Sequence, residues 1–239
     1  MTGKILVILH QEHSTPGRVG NMLRGRGFKL DMRRPRFGDP LPETMEEHAG
    51  AIIFGGPISA NDEDGYMRAE IEWVRVALDE EAPFLGICLG AQIMARQLCA
   101  PVREHRQGEV EIGYYPIRPT RAGADLAPWP QKVYQWHREG LELPRGATLL
   151  AEGDTFACQA FRYGEAAYAV QFHPEVNLAM MHRWTVRGAE RLTLPGARPR
   201  EEHFSERTIH DDANADWLRR LLDRWLASDA RHSRHLAAE

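Results

Sequence analysis

Phe84-Leu85-Gly86-Ile87-Cys88-Leu89-Gly90-Ala91-Gln92 is the stretch on which the reading of this chain turns. It begins as an apolar run, and Ile93, Met94, Arg96 and Leu98 continue it with a helical pattern, so the segment reads as strand, sharp turn and helix with Cys88 at the turn. Glycines two positions before and two after the cysteine leave room for a backbone that bends tightly enough to project the side chain above the carboxyl edge of a sheet. The helix that opens here directs its N-terminus at the sulfur, which favours thiolate, the form of cysteine that attacks a carbonyl carbon. Taken alone, the nine residues also admit a buried structural cysteine between two incidental glycines.

A thiol nucleophile needs a base, and the base needs an orienting partner. Gln171-Phe172-His173-Pro174-Glu175 offers both. An aliphatic stretch over residues 167–170 precedes it, so His173 falls at the end of a predicted strand, on the edge where the cysteine turn also sits. Glu175, beyond a rigid proline, can fold back to accept a hydrogen bond from the imidazole. His137 is a weaker candidate base, because it precedes a predicted turn.

Further outward, apolar runs over residues 5–9, 51–54 and 84–87 alternate with helical patterns, which predicts a mostly parallel central sheet with helices on both faces. The clearest helix spans 66–81, with Ile71, Val74, Ala77 and Leu78 on the buried face and Glu70, Glu72, Arg75 and Asp79 in solvent. Past residue 100 the pattern shortens and alternates around 109–117, 132–135, 156–162 and 166–172, as expected of hairpin additions and returning strands. From residue 178 the chain is helical again and crosses Pro195, Gly196 and Pro199. It then carries Trp217, Leu221, Leu222 and Trp225 on one helical face, a packing stripe. The expected organisation is one α/β domain over 1–190 and a short helical C-terminal extension over 191–239 packed on it, with a frayed tail over 228–239.

Composition narrows the function. A chain of 239 residues with 43% hydrophobic and 27% charged residues is an ordinary globule, large enough for one substantial core. A formal charge of −4 without a basic run argues against nucleic acid and for a small-molecule substrate. The five-residue aliphatic run at 5–9 is too short for a signal peptide core or a membrane span. Three cysteines, Cys88, Cys99 and Cys158, form neither a disulfide framework nor a metal-type pair, which points to a reducing, cytoplasmic setting. Cys99, read as lying on the helix after Cys88, and Cys158, in a predicted strand, are expected in the core. His182, His203, His210, His232 and His235 lack a compact ligand spacing, so neither a metal nor another cofactor is expected. His10 and Glu12 follow the first strand and either line the mouth of the site or lie in a solvated loop.

The cysteine turn, followed 85 positions later by His173-x-Glu175 and preceded by Gly55-Gly56-Pro57, resembles the class I glutamine amidotransferases over roughly residues 4–184, and most of all the glutaminase module of GMP synthase. The resemblance implies a flavodoxin-like fold and a catalytic triad of Cys88, His173 and Glu175. It further implies an oxyanion hole made by the backbone N–H groups of Gly56 and Leu89, and substrate contacts from Gln92 and from the segment Gln135, Trp136 and His137. This chain departs from the family there, with Trp136 in place of a small residue and Arg138-Glu139 in place of Gly-Asp. No nucleotide-activating loop of the G-x-x-x-x-G-K-[ST] or Ser-Gly-Gly-x-Asp-Ser type is present in the sequence. The implied activity is attack of Cys88 on the γ-amide of glutamine or of a γ-glutamyl compound, by a stand-alone enzyme. Alternatives are a glutaminase subunit delivering ammonia to a separate synthetase partner, and a non-catalytic regulatory or binding protein with the same fold. A bulky Trp136 at the mouth suits the larger γ-glutamyl substrate.

Overall fold

Alternation in the first strand builds both halves of the core. In β1 (Lys4–Ile8) and the residue after it, Ile5, Val7 and Leu9 face one hydrophobic cluster, whereas Leu6 and Ile8 face another on the opposite side of the sheet. The structure, a computed structural model, describes residues 3–228. A crossover through α1 (Gly17–Gly25) leads to β2 (Lys29–Arg33), and β1 pairs in parallel with β2 on one side and with β3 (His48–Ile53) on the other. Next come α2 (Gly65–Asp79), β4 (Phe84–Ile87) and α3 (Leu89–Gln97), with β4 parallel to β3.

The middle of the chain supplies short strands: β5 (Val102–Glu104), β6 (Glu111–Pro116) and β7 (Arg118–Pro119). After the single turn α4 (Arg121–Ala124) follow β8 (Lys132–His137), β9 (Glu139–Leu141), β10 (Thr148–Glu152), β11 (Cys158–Tyr163) and β12 (Ala167–Val170). The eight-stranded sheet has the order β2-β1-β3-β4-β12-β11-β10-β7. Its first five strands are parallel, and β11, β10 and β7 extend it antiparallel. Two ribbons, β5-β9 and β6-β8, stand outside it. The returning strand β12 inserts beside β4 with Val170 opposite Ile87, which carries the residues after β12 to the same edge as Cys88.

Helices α1 and α6 (Arg200–Ala227) cover one face of the sheet, and α2 and α3 cover the other. The stripe read from sequence on α6 is buried: Trp217, Leu221, Leu222 and Trp225 join the cluster that contains Ile5, Val19 and Leu23. Trp225 lies so close to β3 that a Cβ at Gly50 would sit 2.8 Å from its ring. Ser228 closes α6, and the rest of the expected frayed tail, with His232 and His235, lies outside the described residues. Helix α5 (Leu178–Arg187), capped by the Asn177 side chain accepting from the Met180 N–H, stands over the carboxyl edge of the sheet.

Two expectations about burial are corrected. Glu70 is fully buried rather than solvated, because it receives a hydrogen bond from a histidine under the sheet edge. Cys99 is exposed rather than core, because α3 ends at Gln97 and the chain turns outward through a left-handed residue at Cys99 (φ 60°). Cys158 is buried in β11, where burial pushes its thiol up to about 12.

Candidate active site

Cys88 sits between β4 and α3 with φ 52° and ψ −104°, a conformation that costs a residue bearing a side chain on the order of 1–3 kcal/mol. The glycines around it are required by close packing. A Cβ at Gly86 would meet the Gly90 backbone at 2.6 Å, and one at Gly90 would land on the Ile53 carbonyl oxygen. The strain is held by fixed neighbours: the Cys88 N–H donates to the Val170 carbonyl of β12 at 2.8 Å, and its own carbonyl accepts from Gln92 N–H at 3.0 Å.

His173 follows β12 and is anchored by its N–H donating to the Tyr134 carbonyl. Its Nδ1 donates to Glu175 Oε1 at 2.8 Å, and both side chains are buried. Nε2 is buried without a hydrogen-bond partner and is the nitrogen left to interact with Cys88. Trp184 of α5 meets the imidazole edge-on, with ring centroids 4.8 Å apart at 80°. Burial opposes a charge on this ring, but the Glu175 carboxylate and the Cys88 sulfur together outweigh it and raise the pKa from 6.5 to about 10. A raised pKa means that the folded protein holds the proton more tightly than the unfolded chain does. The stabilisation is therefore complete below pH 6.5 and is lost as the pH climbs towards 10. Urea unfolding between pH 6.5 and 10 should show a falling midpoint in the wild type and a flatter profile in Glu175→Gln. Parallel profiles would refute this source of pH dependence.

Gly55 and Gly56 follow β3, next in the sheet to β4. A Cβ at Gly55 would approach His173 Cε1 to 2.8 Å and Cys88 Cβ to 3.5 Å, so this turn lies against the other two groups. The Leu89 N–H belongs to the first turn of α3 and has no intrahelical acceptor. The site thus collects the carboxyl ends of β1, β3, β4 and β12, the crevice where open parallel sheets bind ligands.

His10 lines neither the mouth nor a solvated loop; it is fully buried beneath the glycine turn. Its Nε2 lies 2.9 Å from Glu70 Oε2 and its Nδ1 lies 3.3 Å from the Gly55 carbonyl, while a Cβ at Gly56 would touch the His10 side chain at 2.8 Å. The pair fixes the height and tilt of the turn. His10→Ala should lower kcat roughly ten-fold or more with a smaller change in KM, since misplacement by about 1 Å can cost far more than that in rate. His10→Gln should restore part of the loss. A change in thermal stability with unaltered kcat would make the pair structural only.

A cavity of about 450 Å³ opens above these residues. Cys88, His173, Glu175, Gly55, Gly56, Trp136 and Glu12 all line it, together with Met180, Trp184 and three arginines of the α5 region. Of the four side chains linked to substrate by resemblance, only Trp136 is on its wall. Alternation along β8 explains the difference: Tyr134 and Trp136 face α5, so Gln135 and His137 face the opposite way. His137 Nε2 lies 3.0 Å from Glu111 Oε2, Gln159 donates to the same oxygen, and Gln135 donates to Gln159. Gln92 donates to the Glu139 carbonyl and to Gln171 Oε1. These three residues form a buried polar layer behind the cavity. Glu139, where the chain departs from the family, accepts from Ser59 and Asn61 and so ties β9 to the loop after Gly56-Pro57.

An α/β sheet with a cysteine elbow, a carboxylate-bound histidine on the adjacent strand and a glycine turn opposite them defines a class of thiol-bearing α/β proteins. Residues 13–186, well over half of the chain, match the family model of class-I glutamine amidotransferases. This chain belongs to that family. The glutamine amidotransferase-like protein YfeJ of Salmonella typhimurium is 31% identical over 185 residues, covering 73% of this chain and 77% of its own length. A glutamine-hydrolysing GMP synthase subunit of Methanopyrus kandleri is 34% identical over 147 residues, 57% of this chain and 72% of its own length. The GMP synthase of Vibrio vulnificus is also 34% identical, but this chain spans only 28% of its length. Among solved structures, a glutamine amidotransferase of Thermotoga maritima superposes with a TM-score of 0.85 at 28% identity, covering 95% of this chain and 99% of its own.

Proposed function

We propose that this protein is a cysteine-dependent amidohydrolase that cleaves the γ-amide of glutamine or of a γ-glutamyl compound, with Cys88 as nucleophile, His173 as acid and base, and Glu175 as its orienting partner. The observation that carries the reading is the strained Cys88 elbow beside an imidazole whose Nδ1 is held by Glu175 and whose Nε2 is unpartnered. The Cys88 sulfur attacks the γ-carbonyl carbon, and the N–H groups of Gly56 and Leu89 take the developing oxyanion. Protonated His173 gives its proton to the departing nitrogen as the C–N bond breaks, leaving a γ-glutamyl thioester and ammonia or an amine. Neutral His173 then removes a proton from water; the hydroxide displaces the thiolate, and glutamate leaves.

A thiol-reactive glutamine analogue such as a diazo-ketone tests the assignment by peptide mass spectrometry. Exposed Cys99 needs replacement by serine first, since any alkylating reagent will reach it. The expected adduct is on Cys88; its absence would favour a non-catalytic protein that keeps the fold. A relative that is a separate GMP synthase subunit supports a second reading, a glutaminase partnered by a distinct synthetase. That reading requires feeble glutaminase activity in the isolated chain and strong activation by the partner. The free-standing reading requires full activity on a γ-glutamyl conjugate without help.

A further inference from the structure

The outer wall of the cavity carries charge that the chemistry above does not use. Arg183 and Arg187 come from the last turns of α5, and Arg191 from the turn that follows Gly188. All three line the cavity. Among the described residues no carboxylate lies within ion-pair distance of any of them; Arg183 donates only to the His13 carbonyl at 3.3 Å. Two carboxylates stand on the same rim, Glu190 and Glu12, the second with His13 3.9 Å away, while Glu175 is committed to His173. Three guanidinium groups against two carboxylates leave one cation in excess.

Free glutamine does not match this rim. It is a zwitterion, with one ammonium and one carboxylate, and a rim built for it alone would balance. A γ-glutamyl conjugate of an acid adds a second anion on the leaving side of the scissile bond and does match. Guanidinium groups suit this task because their planar forks bind carboxylate or phosphate oxygens in pairs. The rest of the wall fits an apolar body between the two charged ends: Trp136 and Trp184 meet with ring centroids 5.8 Å apart, and Met180 lines the cavity beside them. A volume of about 450 Å³ also exceeds what glutamine fills and lies within the roughly 300–1,000 Å³ of sites for larger ligands.

We propose that Arg183, Arg187 and Arg191 form an anion-binding rim that selects γ-glutamyl conjugates whose leaving amine carries an acidic group and an apolar body. This rests on the amidohydrolase reading for its reaction, not for its binding. In the reaction the γ-glutamyl C–N bond breaks, His173 supplies the proton to the leaving nitrogen, and the amino acid departs with its own carboxylate unchanged.

The test pairs γ-glutamyl-leucine with its C-terminal amide, γ-glutamyl-leucinamide, and adds a conjugate with a phosphonate in place of the carboxylate. Wild type should prefer an acidic conjugate over the amide by roughly ten-fold or more in kcat/KM, the scale of one charge-assisted contact. Which acid is preferred identifies carboxylate or phosphorus oxyanion as the source. In Arg187→Gln/Arg191→Gln the ratio should fall towards one, while the surface variant Arg220→Gln should keep it. Equal rates on acid and amide in wild type would overturn the proposal. Binding to Cys88→Ala, followed by tryptophan fluorescence, reads the rim without chemistry: the acid should bind more tightly than the amide, and the arginine variants should erase the difference. Discrimination in binding without turnover in wild type would sink the amidohydrolase reading and leave the rim standing. Turnover without discrimination would do the reverse.

Discussion

Under the proposed mechanism Cys88→Ala is expected to lower kcat for glutamine or a γ-glutamyl amide by roughly ten-thousand-fold or more, because the residues of a catalytic triad act as a unit and removal of the proposed nucleophile would leave only binding and oxyanion contacts. Ammonia or amine release by wild type and variant, measured at equal protein concentration, decides it; similar rates would remove Cys88 from the mechanism. Folding is not at stake, since alanine introduces no atom that cysteine lacks at this position. A companion variant separates the strain from the chemistry. Alanine at position 88 must still adopt φ 52° and ψ −104°, a region that glycine enters without a Cβ clash. Cys88→Gly should therefore be inactive yet unfold at a higher urea concentration than Cys88→Ala. The reverse order would mean that the backbone stores no strain at the elbow.

The second large effect is on folding. Gly90→Ala places a methyl on the carbonyl oxygen of Ile53, where β3 passes under the start of α3. Backbone on both sides of the contact leaves no flexible side chain to yield, so either α3 lifts from the sheet or the elbow opens. The expected loss is about 3 kcal/mol of stability, at the upper end of overpacking effects, with loss of activity in whatever remains folded. Gly65→Ala is the contrasting change. A Cβ there meets nothing within 4 Å, and it opens α2, where alanine is the better helix former. Chemical denaturation of both proteins should show Gly65→Ala at or above wild type and Gly90→Ala far below it. Equal midpoints for the two would contradict the packing described for the elbow.

These expectations draw on features of unequal visibility. The elbow was legible because every requirement is local: an apolar strand, a glycine on each side of Cys88, and a helical pattern directly afterwards. His173 and Glu175 were legible for the same reason, since two residues and a proline fix their relation. What joined the two groups across 85 positions was the expectation that predicted strands end on one edge, and the pairing of Val170 with Ile87 brings them there. The edge strand β2, with no fully buried residue, gave too little apolar pattern to be read before its pairing with β1 was seen.

Side-chain direction was not legible. Gln135 and His137 stand one residue either side of Trp136, and only the packing of β8 between α5 and the interior decides which face meets the cavity. Glu70 reads as a solvated helix residue until β1 and α2 pack and bring His10 to it. Arg183, Arg187 and Arg191 were not singled out from the sequence: α5 stops at Arg187, so their common address comes from the turn at Gly188 and not from one helical face. By itself the sequence determined the cysteine elbow, the paired His173 and Glu175 and the sheet that carries them, because short-range stereochemistry fixes those. Tertiary structure alone decided what surrounds the thiol, since a cavity wall is assembled from side chains distant in sequence whose directions depend on packing.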